Sequence, residues 1–318
     1  MTSFPEESTL LNLDTYLNHL SPSDGRQFEI GRNFTLVTLG MTICDILIYL
    51  PEDWRILRQN PFQCVVLCFV FSRLLALGYV LIGVLERTMP FENPYLPSMA
   101  SSFFGLFALY CSTFLLLRRL YAVFSDSRKV RWSFSAFWII FAALGFMGPF
   151  GFRPAFIPGT HYYRGSDIKP YMGLGGILLL VYDTSIYLAI TIKIAVSHRS
   201  ADERIDWRNI LSGRALPRLS RAVLQGGQQY YLMTAMATIL IPLTVFLANI
   251  SEHLLMTLIM AIVPFEASMA CRTYRNLRLC QLLDPETTLD DTRSPCTMTD
   301  IHSGAVNSNL PPGSLNNC

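Results

Sequence analysis

Seven stretches of the chain are apolar enough and long enough to cross a lipid bilayer: 34–50, 62–85, 97–117, 132–150, 172–196, 231–250 and 253–271. A helix needs roughly 20 mostly apolar residues to traverse the hydrocarbon core. In lipid every backbone N–H and C=O must be satisfied within the structure, which restricts a spanning segment to a helix or a closed barrel. No stretch sustains the apolar–polar alternation of a strand, so strands are not expected. Composition agrees. Charged residues make up 15% of the 318 positions, against about 25% in a soluble domain, and the mean hydropathy is +0.35. The expected fold class is an all-α membrane protein, a seven-transmembrane helix bundle.

Three regions follow. Residues 1–33 form an N-terminal tail, 34–271 the helical domain, and 272–318 a C-terminal tail. No apolar run before residue 34 resembles a cleaved signal peptide, so the first span is expected to insert as an uncleaved anchor. Pro51 is expected to stop that span. From 284 onward Thr, Ser, Asn, Asp and Pro dominate, with Arg293 the single basic residue, a composition that favours disorder.

Basic residues in short loops mark the cytoplasmic side. One set of alternating segments carries Arg55 and Arg58, then Arg118, Arg119, Arg128, Lys129 and Arg131. It continues with Arg199, Arg204, Arg208, Arg214, Arg218 and Arg221, and ends with Arg272, Arg275, Arg278 and Arg293. Those are seventeen residues. The opposite set holds six: Arg26, Arg32, Arg87, Arg153, Arg164 and Lys169. The bias puts the N-terminus outside and the C-terminus in the cytoplasm. The exterior is then meagre, with the N-terminal tail and the 151–171 loop as its largest parts. No cysteine falls in an exterior loop, so no exterior disulfide framework is expected. Cys271 and Cys280, at the inner membrane edge, are candidate palmitoylation sites.

Ionisable groups inside a bilayer are costly and turn toward partners or cavities. Asp45 shares a helix face with Thr35, Thr38, Thr42 and Tyr49, spaced by three or four residues, so that stripe faces the bundle. Glu266 lies at a depth similar to Asp45, and Arg73 is within reach of both through its long side chain. An intramembrane cluster of Asp45, Arg73 and Glu266 is therefore expected, as a structural lock, a switch or a relay. Asp183 sits near the middle of the fifth span with Tyr182 and Tyr187 nearby. These three are candidates for contacting a polar or cationic ligand, the alternative being a neutral Asp183 bonded to a neighbouring helix. Pro149, Pro242 and Pro264 are expected to kink their helices.

The 197–230 loop interleaves Arg204, Arg208, Arg214, Arg218 and Arg221 with Ile205, Trp207, Ile210 and Leu211. It is a candidate contact for anionic lipid or a cytoplasmic effector. A narrow basic strip beside a bilayer does not suit nucleic acid. No HExxH, GxSxG, P-loop or dinucleotide fingerprint is present, and the five histidines show no metal-ligand spacing. Enzymatic activity, a cofactor and a bound metal are accordingly not expected.

Three local patterns carry a family resemblance. The first is Cys44-Asp45-Ile46-Leu47 with Pro51-Glu52-Asp53-Trp54-Arg55 and Ser72-Arg73-Leu74. The second is Arg119-Leu120-Tyr121-Ala122-Val123-Phe124 followed by Ser127-Arg128-Lys129-Val130. The third is Ala270-Cys271-Arg272-Thr273-Tyr274-Arg275-Asn276-Leu277. Together they resemble a family of fungal, mainly basidiomycete, seven-transmembrane orphan proteins carrying a domain of unknown function. Cys44 and Leu74 stand where aromatic residues are more usual in that family. The resemblance implies a receptor-like topology and supplies no ligand or activity. The leading expectation is a multi-pass, receptor-like protein of the plasma membrane that senses a small or lipophilic ligand. The alternatives are a small-solute or ion transporter and a non-catalytic membrane scaffold.

Overall fold

The computed structural model describes residues 19–59, 63–93, 95–151, 153–157, 161–167, 170–197, 239 and 252–283. Helix α1 is Pro22–Gln59, α2 Cys64–Thr88, α3 Tyr95–Val123, α4 Arg128–Gly145 and α5 the single turn Gly148–Gly151. Strands β1 (Arg153–Phe156) and β2 (Tyr163–Asp167) follow, then α6 (Pro170–Ser197) and α7 (Glu252–Leu283). Among the described residues, five helical segments are long and apolar enough to cross a membrane: Pro22–Arg58, Cys64–Thr88, Tyr95–Val123, Arg128–Gly151 and Gly175–Lys193. The chain is thus a multi-pass integral membrane protein. The predicted span at 231–250 and the 198–230 loop lie outside the described residues, apart from the helical Ile239.

The predicted 253–271 span falls within α7, which runs on to Leu283 and carries Glu266, Arg272, Arg275 and Arg278 along its length. That helix packs against α1, α2 and α3, while α6 packs against α3 and α4. Burial separates centre from periphery. In α2 and α3, 39% of the most apolar window is buried, against 11% in α1. The outer face of α1 is apolar and exposed at Val37, Met41, Leu47 and Ile48. That pattern is inverted for a soluble protein and ordinary for a surface solvated by lipid.

Helix association in lipid rests on close packing and interhelical hydrogen bonds, because lipid tails are as apolar as leucine. The α2–α3 contact shows both. The Ser72 and Ser112 hydroxyls bond at 2.8 Å in a fully buried position, and Ser112 also donates to the Ala108 carbonyl at 2.8 Å. Glycines let the helices approach. A Cβ built on Gly105 would lie 2.9 Å from Tyr79 Cε2, and one on Gly78 would lie 2.5 Å from Phe104 Cδ1. Around that seam Ala76, Tyr79, Val80, Ala108, Val263 and Ala267 form a core shared by α2, α3 and α7. A second core joins Leu120 of α3 to Tyr182, Ile186 and Ile190 of α6. There the Tyr182 ring stacks on Phe141 of α4 at 5.9 Å and meets Phe137 edge-on at 5.3 Å.

Three expectations are corrected. Pro51 does not end the first helix, which continues through it to Gln59. Proline removes one backbone donor, and the turns on either side hold because Asp45, Asp53 and Ile56 pack inward on one face. Strands do form. Strands β1 and β2 make an antiparallel hairpin with Arg153 opposite Asp167 and Ala155 opposite Gly165, its register shifting between Ala155 and Phe156. The strands are too short to carry a detectable alternation. Cys271 is fully buried, its thiol 3.7 Å from the Phe69 carbonyl, which removes it as a lipidation site. Pro149 lies in α5, beyond the end of α4, and Pro264 lies inside an unbroken α7.

The close approach at Gly105 generates a prediction. Gly105→Leu forces a side chain into the space of the Tyr79 ring and should destabilise the protein by about 1–3 kcal/mol, the usual cost of overpacking. A lowered thermal midpoint in detergent checks it; an unchanged midpoint contradicts the packing described.

Candidate functional site

The stripe read along the first span continues past Pro51. Thr35 is fully buried and donates to the Gly31 carbonyl at 2.8 Å; Thr38 donates to the Phe34 carbonyl at 2.9 Å and Thr42 to Thr38 at 2.7 Å. These hydroxyls are satisfied within α1. Asp45 and Asp53 carry the stripe onward, eight residues and just over two turns apart, and both point toward α2.

Arg73 of α2 meets both. Its Nη2 lies 3.4 Å from Asp45 Oδ2, and its Nη1 donates to Asp53 Oδ2. Arg275 of α7 reaches the same aspartate from the other side, with Nε 2.9 Å from Asp53 Oδ1 and 3.5 Å from Glu52 Oε2. Asp53 is therefore held by two arginines from two helices, one on each carboxylate oxygen. Burial fits these roles. The Arg73 side chain is 7% exposed and that of Arg275 1%, against 15% for Asp53 and 24% for Asp45.

Tyr49 completes the junction. The Arg275 guanidinium carbon lies 3.9 Å from its ring centroid, and that of Arg272 lies 5.0 Å away. Arg272 also donates to the Tyr49 hydroxyl. Arg73 faces the Phe69 ring at 5.5 Å. Stacking of this kind suits guanidinium, which is planar and weakly hydrated. It accounts for Arg275 Nη1 and Nη2, which have no hydrogen-bond partner among the described residues. Further along, Arg278 Nη2 donates to Gln63 Oε1 at 2.9 Å, joining α7 to the start of α2. Three carboxylates (Asp45, Glu52, Asp53) face three arginines (Arg73, Arg272, Arg275), so the junction is formally neutral.

The expected cluster of Asp45, Arg73 and Glu266 thus divides. Asp45 and Arg73 pair as expected, but the second carboxylate on Arg73 is Asp53. Glu266 turns away and lies within reach of Asp183 of α6. Roughly two turns of α7 separate the two roles: positions 272 and 275 face α1, whereas 266 faces the interior. Sequence reading missed Asp53 because Pro51 was read as a stop, and it assigned Arg272 and Arg275 to topology. The available signal was the periodicity of Asp45, Tyr49, Asp53 and Ile56, which keeps one helix face across the proline.

Beside the junction a groove of about 710 Å³ runs between α1 and α7. Its walls are apolar, including Met41, Ile48, Ile262 and Phe265, and its inner surface reaches Thr42, Asp45, Tyr49, Arg73 and Arg272. From Phe34 to Tyr49 its wall on α1 extends roughly 22 Å at 1.5 Å per residue. Asp183, Tyr182 and Tyr187, the expected ligand contacts, do not line it. Asp183 faces Glu266, Tyr182 is packed into the α4 aromatic cluster, and Tyr187 lies near Arg119 of α3. Arg204, Arg208, Arg214, Arg218 and Arg221 lie outside the described residues. Among the described residues no group of three or more His, Cys, Asp or Glu side chains is arranged to hold a metal ion.

No protein-family model matches the chain, and no curated protein matches it significantly.

Because Asp53 serves two buried arginines and Asp45 serves one from a wetter position, their removal should differ in cost. Asp53→Ala is expected to destabilise by about 3–5 kcal/mol, the range for stripping the partner from a buried charge. Asp45→Asn should cost about 1 kcal/mol. Thermal unfolding in detergent ranks the two, and an equal or reversed order contradicts the junction described.

Proposed function

We propose that the chain is a seven-helix, receptor-like membrane protein that takes up a lipophilic ligand sideways from the bilayer. The observation that carries this reading is the α1–α7 groove. It is apolar along the lipid-facing side of α1, and it ends on the Asp45–Arg73–Tyr49 junction that ties α1 to α2 and α7. An amphiphile seated there sets its apolar part against Met41, Ile48 and Ile262 and its polar end toward Thr42, Asp45 and Arg272. A ligand acting on that end biases the contacts between three helices at once, which is what a receptor requires of its binding site.

The same reading places the N-terminus outside, on the seventeen-to-six distribution of basic residues, and makes the uncharged 231–250 stretch the sixth span. The likeness of the three motifs to the fungal seven-transmembrane orphan family supports this topology, and the plasma membrane is the proposed location. The 197–230 loop, with its arginines, is the proposed contact for a cytoplasmic effector or anionic lipid. A transporter offers no comparable use for a groove that opens to lipid on its long side.

The test uses the full chain in lipid nanodiscs with a photoreactive acyl amphiphile as probe. Labelling should map to α1 and α7 peptides around Met41 and Ile262, and Ala261→Trp, which fills the groove wall, should reduce it at least several-fold. Labelling spread evenly over all lipid-exposed helices, and unchanged by Ala261→Trp, would show that the groove binds nothing in particular and refute the proposal.

A further inference from the structure

Asp183 and Glu266 stand apart from the junction. They are 6% and 2% exposed, and they lie within reach of each other although they belong to α6 and α7. Helix α6 packs on α3 and α4, and α7 packs on α1, α2 and α3, so the two carboxyls meet inside the bundle. Asp183 Oδ1 and both Glu266 oxygens have no hydrogen-bond partner among the described residues. Three carboxyl oxygens in that position need a donor, because a buried acceptor without one loses its hydration uncompensated.

The charged and titratable groups on the surrounding elements do not supply it. On α7, Arg272 and Arg275 lie two to three turns further along and engage Tyr49, Glu52 and Asp53 of α1. Arg73 of α2 engages Asp45 and Asp53, and Glu86 lies beside Arg87 at the other end of that helix. On α3, Arg119 lies near Tyr187 and Arg118 faces the Tyr121 ring; Cys111 lies near Cys271 of α7, and both are free thiols. On α4, Arg131 also faces Tyr121. On α6, Lys193 lies ten residues from Asp183 and pairs with Asp126, and the Tyr182 ring packs on Phe137 and Phe141 while its hydroxyl, although near Asp183, makes no hydrogen bond to it. The 231–250 stretch contains no Asp, Glu, Lys, Arg or His at all. Wherever it packs, it brings no charge.

With both carboxyls ionised, two like charges would face each other in a medium that screens poorly, and neither could donate to the other. A proton resolves both difficulties. It cancels one charge and turns one carboxyl into a donor for its neighbour, as in other carboxyl pairs that share a site. We propose that Asp183 and Glu266 form a proton-binding site in which a proton held between the two carboxyls ties α6 to α7. Release sends that proton to solvent and leaves two carboxylates that repel across the α6–α7 contact, so the pair makes the interior of the bundle sensitive to proton activity. The site is separate from the α1–α7 groove, and it holds whether or not the groove binds a ligand.

The sign of the effect follows. The bond between the helices is intact at pH values where the proton is bound and is lost as pH rises through the point of its release. The test uses the full chain in phosphatidylcholine nanodiscs, wild type and the double variant Asp183→Asn with Glu266→Gln. Infrared spectra at neutral pH should show the carbonyl stretch of a protonated carboxyl in a dry environment, shifted in D2O, and the double variant should lack it. The thermal midpoint of the wild type should fall on alkalinisation by on the order of 5 °C, and that of the double variant should stay flat. Absence of the wild-type band, or an identical pH response in both proteins, overturns the proposal. Sodium replacing choline at constant ionic strength supplies the competing arm. A midpoint raised by sodium without a protonated-carboxyl band would assign the pair to a metal cation and overturn the proton. Should the double variant fail to fold, the wild-type band and its loss on alkalinisation decide alone: present and titrating supports the proton, absent refutes it.

Discussion

One carboxylate, that of Asp53, fixes the relative positions of α1, α2 and α7. Its two oxygens are taken by Arg73 and Arg275, so neither α2 nor α7 can slide along α1 without breaking a charged hydrogen bond to it. The constraint is strict because the partners are buried. Arg275 is almost wholly enclosed, and a guanidinium in that position is tolerated only with its charge matched. Neutrality is then completed by Asp45, Glu52 and Arg272, and Tyr49 supplies a flat face for two of the guanidinium groups. The apolar seams among α2, α3 and α7 could be satisfied by several registers of similar helices. The junction selects one.

The rest of the structure is arranged around that choice. With α7 held against α1 and α2 at one end, the groove between α1 and α7 is open where no ion pair closes it, along Met41, Ile48 and Ile262. The same rotation of α7 that presents Arg272 and Arg275 to α1 turns Glu266 toward Asp183. Two polar sites of different character therefore lie on one helix. The first is charge-matched and serves to hold. The second has an excess of acceptors and must be completed by something it binds.

Much of this was legible in the sequence, for definite reasons. Apolar length identifies the described spans because the bilayer permits no other solution. The pairing of Asp45 with Arg73 followed from depth and from the threonine stripe, which are properties of single helices. What stayed hidden depended on which helix faces which. Asp53 was set aside because Pro51 reads as a terminator, although a proline within a membrane helix need not end it when the neighbouring helices hold the flanking turns. Arg272 and Arg275 were read only as topology signals because they follow the last apolar stretch; α7 keeps its periodicity past that stretch and returns them to α1. Asp183 and Glu266 lie 83 positions apart, and no local pattern announces that their helices meet.

The account stands on the coupling between Asp53 and Arg275, and a double-mutant cycle measures it directly. Asp53→Asn, Arg275→Gln and the double variant are compared by reversible unfolding of the purified chain in detergent. Two groups in one buried network should give an interaction free energy of at least about 1 kcal/mol, within the usual range for coupled pairs. Additive losses, with an interaction term indistinguishable from zero, would show that Asp53 does not hold α7 and would contradict the arrangement on which the groove and the carboxyl pair both depend.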